Sequence, residues 1–117
     1  MILQDIQEKL KEIDENVFYG MVHKKMQETV WNYIVFNRKS LKFNENKTSC
    51  SEVISVHVVR ENFIPEDLVL EVIDKMQEIA GVRVTGEGSY EQIEKPNTNI
   101  LVEMFSIDFV KAKKKKV

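Results

Sequence analysis

The side chains most often used in catalysis or metal binding are few in this sequence and are spread along it. One cysteine, Cys50, and two histidines, His23 and His57, are the candidate nucleophiles, general bases and metal ligands. A reactive thiol needs a neighbouring base or cation that favours the thiolate, and only Lys47 lies close to Cys50. Zinc sites need several cysteine or histidine ligands at set spacings, which this scattered set does not provide. We therefore predict no catalytic residue and no bound metal.

Phosphate-binding loops are not predicted either. Gly81, Gly86 and Gly88 fit neither the Walker spacing nor the dinucleotide fingerprint, and they follow a predicted helix instead of preceding one. Carboxylates are numerous, but acid–base catalysis needs two of them to converge in a cleft, and nothing in their spacing predicts convergence. We expect no cofactor and no enzymatic activity.

Length and composition indicate a single packed domain. The chain has 117 residues, 43% of them hydrophobic, and 17 basic against 19 acidic side chains give a net charge of −2. This apolar content is enough for one core, and so balanced a charge is not that of a protein that coats DNA. The longest apolar runs are far shorter than the roughly 20 residues needed to span a bilayer, so no membrane segment is predicted. We assign residues 1–111 to this domain.

Two helices are predicted. The first covers residues 2–14, where apolar residues recur at helical spacing between polar ones. The second begins at Pro65, whose fixed backbone suits a first helical position, and ends near Ala80, where Gly81 provides a left-handed cap. The apolar stripe of the first helix consists of Leu3, Ile6, Leu10 and Ile13.

Five segments are predicted to be strands because they alternate in polarity or are rich in β-branched and aromatic residues. Glycines at 86 and 88 are expected to bend or bulge the fourth strand. The order α-β-β-β-α-β-β predicts an α+β fold, in which two helices pack on a mainly antiparallel sheet and a mixed sheet is also allowed. The strand segments are residues 17–20, 30–36, 52–62, 82–94 and 100–111.

The polar segment 37–51 is a candidate surface for partners. It is read as either a long hairpin tip or a mobile loop, and such excursions are often functional. Phe43 is the exception in it and either packs back on the domain or anchors a partner. The candidate partner-interface residues are Arg38, Lys39, Lys42, Phe43 and Lys47.

A run of lysines follows the last predicted strand. Residues 112–117 are expected to form a disordered basic tail, which is either solvated or in contact with nucleic-acid phosphates. An alternative function is therefore a small nucleic-acid-binding module that uses its sheet face and this tail, although Glu103 and Asp108 in the last strand would repel phosphate. The basic residues concerned are Lys111, Lys113, Lys114, Lys115 and Lys116.

Over nearly its full length the sequence resembles the tail terminator proteins of long-tailed bacteriophages, also described as tail completion, tail-to-head joining or minor tail proteins. The resemblance rests on NVFYG at 16–20, WNYIVFNR at 31–38, VVRENFIP at 58–65, the helix end IAG at 79–81, and a final strand followed by lysines. None of these motifs is catalytic. A neighbouring head–tail neck protein is the alternative within the same group.

The resemblance implies a structural protein of the virion, assembled in the bacterial cytoplasm. Its partners would be further copies of itself in a hexameric ring, the tail tube protein whose polymerisation the ring stops, and the head connector or neck proteins. A ring built from one repeated contact must use apolar or strand-edge surface for its neighbours. Tyr19 and Trp31 are the candidate subunit-interface residues, and burial in the domain core is the favoured alternative for Trp31.

Overall fold

Five strands and two main helices make up the fold. The computed structural model describes residues 2–22, 24–45 and 49–114. In chain order the elements are α1 (Ile2–Lys11), β1 (Val17–Tyr19), α2 (Lys24–Gln27), β2 (Tyr33–Phe43), β3 (Ser49–Glu61), α3 (Glu66–Gln77), β4 (Val82–Glu94) and β5 (Leu101–Lys114). The predicted order is confirmed, and the short helix α2 lies in a connection for which the sequence shows no period. None of the described helices is long and apolar enough to cross a membrane.

The sheet has the strand order β1-β2-β3-β5-β4. Its first pair, β1 with β2, is parallel, and the other neighbours are antiparallel. The predicted mainly antiparallel α+β sheet is therefore confirmed, in its mixed form. Strands β3 and β5 each have two paired neighbours, whereas β4 lies at the free edge of the sheet.

Helices α1 and α3 pack on one face of the sheet and form the main core with it. Alternating residues of β2, β3 and β5 face the helices, so that the strand period of two meets the helical stripes. The fully buried side chains of this core include Ile6, Leu10, Ile34, Phe36, Val56, Val58, Val72, Met76 and Phe109. The opposite face carries a smaller cluster around Tyr33, Val59 and Val102.

Charged side chains hold the connection from α1 to β1 and the connection from β3 to α3 against the sheet. Arg60 of β3 donates to Asp14 at 2.6 Å, and this half-buried ion pair ties the end of α1 to the sheet. Glu103 of β5, which interrupts an apolar face in the sequence, accepts from the backbone N–H of Ile64 at 2.9 Å. It thereby orients the entry to α3, which begins after Pro65 and ends three residues before the predicted Ala80. Gly81 has φ +80°, as a left-handed turn requires.

The β2–β3 hairpin is longer than the sequence pattern indicates. Strand β2 continues through Phe43, opposite Cys50, so the segment from residue 37 forms a long hairpin, which is the first of the two alternatives. Strand β5 continues to Lys114, opposite Ser49. The predicted domain boundary at residue 111 thus falls inside β5, and residues 112–114 extend the sheet instead of beginning a tail. Residues 115–117 lie outside the described part of the chain.

Strand β4 has the predicted irregularity at its glycines, where its register against β5 shifts between Thr85 and Ser89. Gly88 in this bulge lies directly over the ring of Phe105, which is buried. A Cβ atom at position 88 would overlap that ring, so glycine is required here by contact with a neighbouring side chain.

We predict that Gly88→Ala destabilises the protein by about 1–3 kcal/mol, as overpacking of a filled core does. Urea unfolding followed by circular dichroism measures the change. Ser89→Ala, one residue further along the exposed strand, is the control and should leave the midpoint near that of the parent. Equal midpoints for the two variants would contradict the close packing of Gly88 on Phe105.

Candidate functional site

The face of the sheet opposite the two main helices carries a row of linked polar side chains. His57 of β3 contacts Ser106 Oγ of β5 through Nδ1 at 2.7 Å and Asn37 Oδ1 of β2 through Nε2 at 3.2 Å. Next to them, Asp108 of β5 accepts from Ser55 Oγ and from Lys39 Nζ, both at 2.7 Å. The row therefore joins β2, β3 and β5 across the sheet.

The charges in this row are held by their surroundings. Burial lowers the pKa of His57 below its ordinary value of 6.5, and the nearby charge of Asp108 opposes that effect. Burial alone would raise the pKa of Asp108, but hydrogen bonds from Lys39 and Ser55 outweigh it, so that the pKa lies below its ordinary value. His57 is consequently neutral and Asp108 ionised near neutral pH.

His57 and Ser106 have the separation of a base and a nucleophile, but their strands supply little else that catalysis needs. Both residues lie in central strands, whose backbone N–H groups are engaged in the sheet, and acyl transfer needs free N–H donors beside the nucleophile. Nor do the described residues contain a group of three or more histidine, cysteine or acidic side chains that could hold a metal. The row is best explained as a network that satisfies polar groups on an otherwise uncovered face.

The part of this face around Tyr33, Val59 and Val102 is partly covered by the chain that precedes β2. Trp31 is half-buried there against the cluster around Tyr33, and its backbone N–H donates to Glu61 at 2.6 Å. Lys95, in the β4–β5 turn, bonds Glu61 at 2.9 Å and stands 5.5 Å from the centre of the Trp31 ring. Trp31 therefore packs within its own domain, which is the favoured alternative to a subunit interface.

Tyr19 is the other predicted subunit-interface residue. It ends β1 with its side chain 46% exposed. Its ring and that of Phe36 are arranged edge to face, with their centres 5.2 Å apart. Beside it, an apolar cavity of about 230 Å³ is lined by Gly20, Met21, Val22 and Tyr33, among others. Tyr19 thus lies on the helix side of the sheet, at its β1 edge, with nearly half of its side chain exposed, and its role in a subunit interface stays a prediction.

The predicted partner-interface residues lie on the β2–β3 hairpin. Arg38, Lys39, Lys42 and Phe43 are exposed residues of β2, and Lys47 lies outside the described residues. Phe43 and Leu41, two residues apart on the same side of the strand, are 55% and 51% exposed. Arg38 lines a cavity with Ile2 and Leu3 of α1, so the hairpin extends past the beginning of that helix.

The lysines of the predicted basic tail differ in their surroundings. Lys113 donates to the buried Glu52 at 2.7 Å, and Lys111 donates to the carbonyl of Ala80 at 2.7 Å, so both are engaged within the domain. Lys114 ends β5, and Lys115 and Lys116 lie outside the described residues.

The free edge formed by β4 was not identified from the sequence as a candidate surface. Apart from Val82, each residue of this 13-residue strand is exposed, and the exposed side chains include Val84, Tyr90 and Ile93. Apolar residues alternating with glutamates predict the strand itself, but they do not indicate that it lies at the edge of the sheet.

Protein stability should decrease as the pH falls below about 6.5, because of His57. The folded protein disfavours protonation of His57. The contribution of His57 to the free energy of unfolding is therefore complete above pH 6.5 and is lost as the pH falls toward the lowered pKa. The carboxylates with lowered pKa values lose their contributions only below 4.5. Urea unfolding should show this decrease in the parent and a flatter profile in His57→Gln. Parallel profiles for the two proteins would contradict the assignment.

Comparison with known proteins adds no assignment to these surfaces. No model of a protein family matches the sequence, and no curated protein matches it. The candidate site is therefore described from the contacts of the chain itself.

Proposed function

We propose that this protein is a structural component of the virion of a long-tailed phage. It assembles as a ring, caps the tail tube and joins the tail to the head connector. The resemblance of its sequence to tail terminators supports this function, and the α+β fold with helices on a sheet agrees with what that resemblance implies.

The observation that carries the proposal is the β2–β3 hairpin. Its end reaches past α1 and exposes two large apolar side chains, Leu41 and Phe43, on one side of the strand. Side chains that stay about half exposed contribute less to stability than buried ones, whereas exposed aromatic anchors are common in protein–protein contacts. The hairpin end is thus the surface that meets the tube or the connector, and the sheet edges remain for contacts between copies.

A double variant at the hairpin end tests this role. Leu41→Ser with Phe43→Ser should leave the protein folded but abolish capping of tails. The measurement is electron microscopy of particles from a phage whose own gene for the protein has been deleted and which is supplied with the variant. We expect tails of uncontrolled length and unjoined heads.

The matched control is Phe63→Ser with Leu70→Ser, since these side chains are 69% and 55% exposed but lie outside the hairpin. It should restore tails of normal length. Normal tails with the hairpin variant would refute the role of the hairpin, and normal tails with no protein supplied would refute the proposed function. Salt-dependent binding of the purified protein to duplex DNA, together with normal tails, would favour the nucleic-acid-binding alternative.

A further inference from the structure

We propose that the acidic free edge of β4 pairs with the basic outer edge of β2 in a second copy of this chain. The sheet would then continue from one subunit to the next. The contact gives the ring of the proposed function its subunit interface, and in that respect the inference rests on that function. Four observations support it: two free edges, opposite charges on them, mutual repulsion of like edges, and a compatible register.

The first edge is β4, the last strand of the sheet. It is 13 residues long, or about 43 Å at about 3.3 Å per residue, and its outward side presents backbone N–H and C=O groups beyond its first residues, where the N–H groups of Val82 and Val84 donate to Ile79 and Gln77. The strand carries Glu87, Glu91 and Glu94 against a single basic residue, Arg83. Within the described part of the chain, no ion pair uses any of the three glutamates. This edge is therefore both open and acidic.

The second edge is the outer part of β2. Strand β1 pairs only with Ile34, Val35 and Phe36, so β2 has no neighbour on that side from Asn37 to Lys42 within residues 2–22, 24–45 and 49–114. Arg38, Lys39 and Lys42 lie in this stretch, and β2 contains no acidic residue. Lys39 is paired with Asp108, whereas Arg38 and Lys42 form no ion pair with any described residue. This edge is open and basic.

The charges on the two edges select between possible pairings. Opposite charges that face each other across neighbouring strands attract, and like charges in that position destabilise the pair. Two β4 edges would bring glutamates together, and two β2 edges would bring lysines together. Edge charges of this kind also discourage indiscriminate sheet growth. Of the three possible pairings, only that of β2 with β4 brings opposite charges together. This pairing makes the contact head-to-tail.

Strand direction and register are compatible with this pairing. β2 and β4 run in opposite directions within one sheet, so a neighbour rotated about an axis along the strands presents its β2 antiparallel to β4. In the cross-strand register, Glu91 is level with Tyr33, through Met104 and Val59. Bringing position 39 of β2 opposite Glu91, so that Arg38 and Lys42 lie beside Glu91 and Glu87, therefore requires the neighbour to be displaced by about six residues, or roughly 20 Å.

The displacement corresponds to a steep strand tilt. The four strands that repeat across the contact, β2, β3, β5 and β4, advance the sheet by roughly 19 Å per subunit at about 4.8 Å each. A shift of roughly 20 Å over that width tilts the strands by about 46°, next to the upper end of the range of about 35–45° typical of closed sheets. With the same shift the neighbour's Phe36, which β1 covers, comes opposite Glu94, so β1 meets only the last residue of β4 and the free stretch of β2 pairs with Gly88 to Ile93.

Charge reversal tests the contact directly. Arg38→Glu with Lys42→Glu places acid beside Glu91 and Glu87, and Glu87→Lys with Glu91→Lys places base beside Arg38 and Lys42. Sedimentation velocity over a range of protein concentrations should show concentration-dependent assembly of the parent. Each variant alone should need at least about tenfold higher concentration, since several attractions become repulsions. A mixture of the two variants should assemble like the parent, because each then meets a complementary edge.

Matched controls carry the same change of net charge away from the edges. Lys24→Glu with Lys25→Glu, and Glu15→Lys with Glu71→Lys, alter exposed residues and should assemble normally. A parent that stays monomeric at every concentration, variants that assemble like the parent, or a mixture that fails to assemble would each overturn the inference. An isologous contact between β4 edges would be recognised by sensitivity to the Glu87 and Glu91 changes alone.

The two proposals fail separately. If the mixture of variants restores assembly while phage lacking the gene still make normal tails, the edge contact stands and the proposed function is wrong. If the gene is required for capped tails but reversed edges assemble normally, the function stands and the edge contact is wrong.

Discussion

The antiparallel pairing of β3 with β5, continuous from Ser49 opposite Lys114 to Glu61 opposite Val102, is the contact on which the rest of the structure depends. Both strands have a paired neighbour along each edge, so only their two faces can contact the rest of the molecule. One face supplies the apolar surface on which α1 and α3 pack. The other carries neither main helix, and polar side chains that bond one another across the sheet occupy its middle. A protein with this arrangement has its main core on one side, and on the other a sheet surface that is only partly covered.

Much of the fold could be predicted because local patterns and tertiary packing agree. Alternation of polarity predicts the strands, helical spacing predicts α1 and α3, and the glycines predict the irregularity in β4. The errors occur where a contact distant in sequence decides the outcome. Strand β5 continues into the lysines because Lys113 forms an ion pair with Glu52 on the neighbouring strand β3. Strand β2 continues to Phe43 because β3 pairs with it along its whole length. Neither partner can be identified from the strand's own composition.

The candidate surfaces were predictable to a different extent. The exposed positive residues of the hairpin are polar in the sequence and exposed in the structure, so their placement followed from composition. Trp31 could belong to either a core or an interface, and its contacts with Glu61 and Lys95 show that it packs in part on its own domain, while its role in an interface stays a prediction. The β4 edge required the strand order, since the chain passes from β3 through α3 to β4 before β5 returns to lie between them. Adjacency in sequence does not show which strand has one neighbour and which has two.

The unequal distribution of charge between the two sides of the sheet has a consequence for kinetics. Glu87, Glu91 and Glu94 on β4, and Arg38 and Lys42 on β2, take part in no ion pair among the described residues, so the two edges differ in sign although the net charge of the chain is only −2. In the edge contact that we propose, these charges would turn approaching molecules before their surfaces meet and make productive encounters more frequent than random collision allows. Such steering acts over about 8 Å at physiological ionic strength. Added salt should consequently slow association more than it accelerates dissociation.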